Sequence, residues 1–421
     1  MNNFLILYGY ELKKILKRRI TINTLAALTL VVIYLNIGGT LNTTHSWSDE
    51  EGNIITMNGF EWLAYQKEKT MELNGQVIDD ELLDKVKEAY KNVYVTEYQS
   101  ETGIGYRSMT EAQDEGESAE EKEAAIRNQE LYSPIYEYIR KFTGFYDAVH
   151  LIREETLYES RQDYLLEREW TFLHLTESER MYWAEREKDV KKPFTYGYAE
   201  GWNEMLDSFM YANIMLVLAI VICLSGVFAD EHLKRTDQLI LCSKHGKGRL
   251  FFAKTAASIT FGVVCSAFMF LIFLLSAVVV YGAEGGNIVI QICKPLCSRS
   301  LTMAQAVFLM GRIYIVLGIV YSILAIFLSE AAKSAIAVIG IIFGSMLFTM
   351  AYQIPYAHRV TSQMYDLLPT RILNVEQLWD DRLVTVFGFH LTNYQTAIIF
   401  YVVASVLLIW KGNRIWQKMR N

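Results

Sequence analysis

Six long apolar runs, nearly free of charge, constrain this chain more than any other feature. They lie at about 20–39, 208–229, 251–281, 304–328, 333–352 and 394–411. A helix needs roughly 18–20 apolar residues to cross the ~30 Å hydrocarbon core of a bilayer. One such run fits a buried helix of a soluble protein. Six of them, in a chain with 52% hydrophobic residues, do not. The expected class is an all-α polytopic membrane protein with six transmembrane helices.

Charge orients the spans. Residues 41–205 hold 36 acidic and 18 basic side chains, a net of −18, whereas the whole chain carries only −7. Lysine and arginine near helix ends set topology. They cluster at Lys13, Lys14, Lys17, Arg18 and Arg19, at Lys234, Arg235, Lys244, Lys247 and Arg249, at Lys333, and at Lys411, Arg414, Lys418 and Arg420. Six spans bring these clusters to one face, which is then cytoplasmic. Both termini are expected inside, and the acidic segment outside. All five prolines (Pro134, Pro193, Pro295, Pro355, Pro369) fall in outer segments, consistent with the cost of proline in a helix.

The expected division follows. Residues 1–19 form an amphipathic helix, with Phe4, Leu5, Tyr8, Leu12, Ile15 and Leu16 at three- and four-residue spacing. Such a basic helix lies in the membrane interface, the plainer reading being a positive flank of the first span. Span 20–39 is read as uncleaved, because no small-residue cleavage site follows it. Residues 40–207 form a large, mainly helical extracellular domain. A helical stripe is expected over 79–98, a solvated connection or helix start over 110–124, and a capping box at Thr176–Glu179. Aromatics at Tyr132, Tyr136, Tyr138, Phe142, Phe145 and Tyr146 suit a helical core or a ligand groove. Spans 208–229 and 251–281 flank a cytoplasmic loop, 230–250. The rest is an outer loop at 282–303, spans 304–328 and 333–352, outer amphipathic helices over 353–393, span 394–411 and a cytoplasmic tail, 412–421.

Catalytic chemistry finds no motif. Gly246-Lys247-Gly248-Arg249 lacks the upstream glycine and the Ser/Thr of a phosphate loop. No paired-histidine zinc motif, metal-like histidine spacing or nucleophile elbow occurs. Cys293 and Cys297 would sit outside, as a bridge or as two free thiols. Arg312, about two turns into the fourth span, has two open readings: contact with an anionic headgroup or substrate, or snorkelling to the interface. Glu330 and Lys333 sit at inner span ends, where they pair or meet a partner. Gly340-x-x-x-Gly344 allows close helix contact, either as a dimer face or, by default, within the chain.

The charged loop is the distinctive element. Asp230-Glu231 is followed by Thr236, Gln238, Leu239, Leu241 and Ser243, then Gly246, Arg249 and Lys254. This order resembles the permease subunits of ABC-2-type ABC transporters. The chain departs from them at Arg235, where glycine is common, and at Lys244, where proline is common. The resemblance covers the membrane part and leaves out 41–205. It implies that Thr236 to Ser243 is a coupling helix docking on a nucleotide-binding subunit, with Glu231 and Arg249 at its ends. It also implies a second permease protomer, identical or homologous, and ATP and Mg hydrolysed on separate ATPase subunits, with no cofactor in this chain. Membrane lipids are expected partners and nucleic acid is not. The expected function is the permease of a bacterial cell-membrane exporter moving an amphipathic peptide, lipid or drug, not itself an enzyme. The alternative is a membrane receptor or sensor whose acidic extracellular domain binds a ligand.

Overall fold

The computed structural model describes residues 2–42, 44–48, 54–90, 93–100, 103–110, 119–143, 153–236, 248–372, 379, 381–386 and 388–418. The chain is mostly helical and divides into two compact units. The first holds Met1–Gly39, Glu204–Gly282 and Ala306–Asn421; the second holds Thr40–Asn203 and Ala283–Gln305.

In the first unit, α1 (Asn2–Leu16) is followed by α2 (Arg19–Asn42). Among the described residues, five helices are long and apolar enough to cross a membrane: Arg19–Asn42, Glu200–Leu233, Gly248–Tyr281, Met303–Ala332 and Asn393–Lys418. A sixth apolar helix, Ala335–Ala351, has 17 residues. At 1.5 Å per residue it reaches about 25 Å, the lower edge of spanning length. Many large apolar side chains on these helices point outward, among them Leu30, Val279, Ile336 and Val406. A water-soluble fold would bury such residues, so the helices form a multi-pass membrane unit.

Helix packing here depends on small residues and a few polar ties, because lipid offers no hydrophobic drive between helices. Helices α10 (Gly248–Tyr281) and α11 (Met303–Ala332) meet at Gly262 and Gly318. A Cβ on Gly262 would lie 2.1 Å from Ser322 Oγ and 2.5 Å from the Gly318 carbonyl oxygen. Asn36 of α2 donates to the Phe273 carbonyl (3.2 Å) and to Ser276 Oγ (2.5 Å) on α10. Tyr314 of α11 donates to the Ala212 carbonyl at 2.9 Å. The Gly340/Gly344 contact expected within the chain is not made: neither glycine has a neighbour within 4 Å of an added Cβ. Lys333, with φ 54°, ends α11, and the Ser334 hydroxyl caps α12 (Ala335–Ala351) at Ala337 N–H. The turn is thus Lys333-Ser334, a few residues later than the sequence boundaries.

Among the described residues, local sequence overrides the all-helical expectation in three antiparallel hairpins. They are β1 (Thr44–Ser48) with β2 (Ile54–Asn58), β3 (Val93–Ser100) with β4 (Gly103–Thr110), and β5 (Leu383–Val386) with β6 (Phe389–Thr392). The expected helix over 79–98 stops at Ala89. Val93-Tyr94-Val95-Thr96 is β-branched and aromatic, a composition that suits a pleated surface. Of the outer amphipathic helices expected over 353–393, α13 (Arg359–Asp366) forms, and the β5–β6 hairpin stands where another helix was expected.

The second unit has its own core. The unit includes helices α3 (Gly59–Glu72), α4 (Asp80–Ala89), α5 (Ala119–Thr143), α6 (Glu154–Asp163) and α7 (Glu177–Glu187). Leu83 and Val86 of α4, Ile135 and Ile139 of α5 and Leu157 of α6 form the core with Phe194. Asp79 caps α4 by accepting from Leu82 N–H. At the expected capping box, the Glu179 carboxylate accepts from both the N–H and the hydroxyl of Thr176. Tyr136 and Tyr138 are buried in the core, so they line no groove; Phe145 and Tyr146 lie outside the described residues. Arg161 is fully buried. Its guanidinium donates to the carbonyls of Pro295 (2.8 Å) and Cys297 (3.1 Å) and pairs with Glu187. One side chain thereby ties α6, α7 and the 283–305 segment. Cys293 and Cys297 within that segment form no disulfide with each other.

Gly262 and Gly340 should respond oppositely to the same added methyl group. Gly262→Ala overpacks the α10–α11 crossing and should cost about 1–3 kcal/mol. Gly340→Ala meets open space and should be neutral or slightly stabilising. Melting temperatures of the two variants purified in detergent measure the difference.

Candidate functional site

The helix beginning at Glu200 has one break, at Ser225, between α8 (Glu200–Leu224) and α9 (Gly226–Leu233). A hydroxyl from another helix enters the backbone there. Ser329 Oγ of α11 donates to the Ser225 carbonyl (2.6 Å) and accepts from the N–H groups of Phe228 (3.1 Å) and Ala229 (3.0 Å). A side chain inserted into the helical ladder is a standard cause of such breaks. Every hydrogen-bonding site of this buried hydroxyl is used.

Beyond the break, α9 carries a buried ionic cluster. Lys254 of α10 is fully buried, four residues after Leu250 in the first turns of its helix. Its ammonium donates to Glu231 Oε1 (2.5 Å) and the Val227 carbonyl (3.2 Å), lies 3.9 Å from Glu11, and sits 4.9 Å above the Phe228 ring. Glu231 also takes Lys14 of α1 at 2.7 Å. Arg18 reaches Asp230 at 3.6 Å. Gly226 makes room for that contact: a Cβ there would lie 2.7 Å from the Asp230 carboxylate. His232 Nε2 lies 3.1 Å from Glu330 Oε2, and Glu330 is fully buried. Glu330 therefore pairs with His232, while Lys333 is exposed. In all, four carboxylates face three fixed cations and one histidine. Glu231 Oε2 and Glu330 Oε1 remain buried without a hydrogen bond among the described residues.

An aromatic clasp backs the cluster. Phe228, fully buried, stacks on Phe251 (5.7 Å, 27°) and meets Trp416 of α14 (Asn393–Lys418) at 5.3 Å. Gly412 lets α14 approach, since a Cβ there would lie 3.1 Å from the Phe251 ring. Five helices (α1, α9, α10, α11 and α14) thus converge on one turn.

The end of α9 is closed by a Schellman-type cap. Arg235 N–H bonds the His232 carbonyl (3.1 Å) and Thr236 N–H bonds the Glu231 carbonyl (3.0 Å). Arg235 adopts φ 54°, the left-handed region that glycine occupies without cost. Thr236 Oγ1 adds a bond to the same Glu231 carbonyl at 3.3 Å.

Of the residues singled out by sequence, Glu231 lies in the cluster and Thr236 in its cap. Arg249 is exposed at the start of α10. Gln238, Leu239, Leu241 and Ser243 lie outside the described residues. Arg312 is exposed on α11 and makes no ion pair among the described residues, so it does not join this cluster. Sequence reasoning missed Ser225, Ser329 and Trp416. Ser329 and Trp416 carried a faint signal as polar or aromatic residues at the basic ends of apolar runs. Among the described residues no group of His, Cys, Asp and Glu could hold a metal ion. What the cluster can do is mechanical: it couples the position of α9 to four neighbouring helices. No family model, curated protein or solved structure matches the chain.

Removing one partner of a buried pair leaves the other charge uncompensated, at a cost of about 3–5 kcal/mol. Lys254→Met should therefore lower stability by about that much. Adding Glu231→Met should restore most of it, because two apolar side chains then fill the site. A double-mutant cycle on thermal stability in detergent reads the coupling.

Proposed function

We propose that this chain is the permease subunit of an ABC-2-type ATP-binding cassette exporter in a bacterial cell membrane. Six spans would cross the bilayer with both termini in the cytoplasm and residues 40–207 outside. ATP would be hydrolysed with Mg on separate nucleotide-binding subunits, and a second permease protomer, identical or homologous, would complete the pathway. The substrate class is amphipathic: a peptide, lipid or drug.

One observation carries the reading. The segment that resembles a coupling helix begins at Thr236, directly after a helix end clamped by the Glu231–Lys254 pair, the Arg18–Asp230 pair and the His232–Glu330 pair. A helix that merely spans a membrane has no need of buried charges at its end, and these are costly. A helix that must receive force does need such a clamp. Displacement at Thr236 passes through α9 to α1, α10 and α11 instead of being lost in local bending. The orphan oxygens of Glu231 and Glu330 support a cluster with more than one arrangement, since a partly satisfied network lies close in energy to its alternatives.

Co-expression with a nucleotide-binding subunit, followed by purification in mild detergent, tests the proposal. The two chains should co-purify with ATPase activity that depends on this subunit. Leu239→Asp should uncouple that activity while the protein still inserts and melts normally. Failure to co-purify, or ATPase activity unchanged by Leu239→Asp, would sink the reading.

A further inference from the structure

A cavity of about 500 Å³ lies in the second unit, independent of the ionic cluster and of the transporter reading. Its volume is that of a site for a drug-sized ligand. Helix α3 supplies Trp62, Tyr65 and Lys69, helix α5 supplies Glu130, the segment before α8 supplies Tyr196 and Tyr198, and the first turn of α8 supplies Glu200 and Asn203. The wall therefore has an aromatic part and a polar part, with Leu63 and Ile292 among the aliphatic residues that complete it.

Its polar part is matched to a cation. Asn203 Oδ1 is buried and accepts no hydrogen bond among the described residues. Glu130 is exposed at the rim and held by the Tyr65 hydroxyl, which donates to it at 2.6 Å. Burial and then this carboxylate push the Tyr65 hydroxyl up to about 12, so it stays a donor at neutral pH. Glu200 adds a second carboxylate, and among the described lining residues Lys69 is the one cation. The surrounding 41–205 segment carries 36 acidic and 18 basic side chains, which repels an anion further. A neutral apolar ligand would leave Asn203 Oδ1 buried and unmatched.

The aromatic part already shows what it accepts. Lys69 Nζ lies 5.6 Å from the Tyr65 ring centroid, and Lys67 Nζ lies 5.4 Å from that of Tyr198. Ring faces at this range attract ammonium and guanidinium groups. Trp62 stacks beside Tyr65, with centroids 5.7 Å apart, which widens the surface for an apolar group.

We infer that this cavity binds a peptide-sized organic cation bearing an apolar group. The charge lies between Glu130, Glu200 and Asn203 Oδ1, and the apolar group lies on Trp62 and Tyr65. Lys69 occupies the ring face the ligand needs and competes with it.

Isothermal titration of the full chain in detergent micelles tests this with three probes of one shape. They are acetyl-Phe-Arg-amide, its neutral citrulline analogue and acetyl-Phe-Glu-amide. The arginine probe should bind saturably at one site, about tenfold tighter than the citrulline probe. The glutamate probe should give no binding. Glu130→Gln should weaken the arginine probe about fivefold, as expected for a partly exposed ion pair. Lys69→Met should tighten it about threefold by freeing the Tyr65 ring, a gain that a misfolded variant cannot imitate. Absence of saturable binding by the arginine probe, equal binding of the citrulline probe, or an unchanged affinity in Lys69→Met would each overturn the inference.

Discussion

The membrane unit is organised around one ammonium group that has no access to water. Lys254 needs compensation for its lost hydration, and the partners that supply it come from two helices. Glu231, the Val227 carbonyl and the Phe228 ring come from α9, and Glu11 from α1. Buried charge tolerates little displacement of its partners, because attraction in a low-dielectric setting falls steeply once the desolvation cost is no longer offset. The position of α9 is thereby linked to α1 and α10. Ser329 adds the link to α11 by entering the backbone at Ser225.

This arrangement differs in kind from the helix crossings in the same unit. The α10–α11 crossing relies on two glycines and backbone approach, which is steric and nearly chemically blind. Asn36, Ser276 and Tyr314 make single polar ties between apolar helices. The α9 end brings buried charge, aromatic stacking and a helix break together. The second unit reaches a comparable result with Arg161, whose guanidinium fork suits two carbonyls and a carboxylate at once. A lysine in that place would present a point charge and could not hold three elements in register.

Much of the fold was readable from period and charge alone. The apolar runs predicted the long helices because a helix exposed to lipid must be apolar on nearly every side, which leaves an unbroken signal. The Thr176–Glu179 cap was readable because the interaction is local. The helix end at Ala89 and the β3–β4 hairpin were misjudged. Leu82, Leu83, Val86 and Tyr90 sustain a helical spacing up to a boundary marked only by a change to β-branched residues. The candidate site was half readable. Glu231 and Thr236 stood out beside a charged loop, but Ser329 is one of many serines in apolar runs. Nothing in its neighbours shows that it meets Ser225, a hundred residues away in the chain.

By itself the sequence determined that this chain makes long apolar helices, which of their ends are basic, and that an acidic segment separates the first two. These properties follow from composition over consecutive residues. Only the tertiary structure decided which charges meet. Lys254 is buried against Glu231, Glu330 selects His232 over the nearer Lys333, and Lys69 lies on an aromatic wall supplied by its own helix and facing distant segments. The physical reason is that desolvation and Coulomb attraction depend on distance in space. Distance along the chain carries no record of which helix will supply the neighbour.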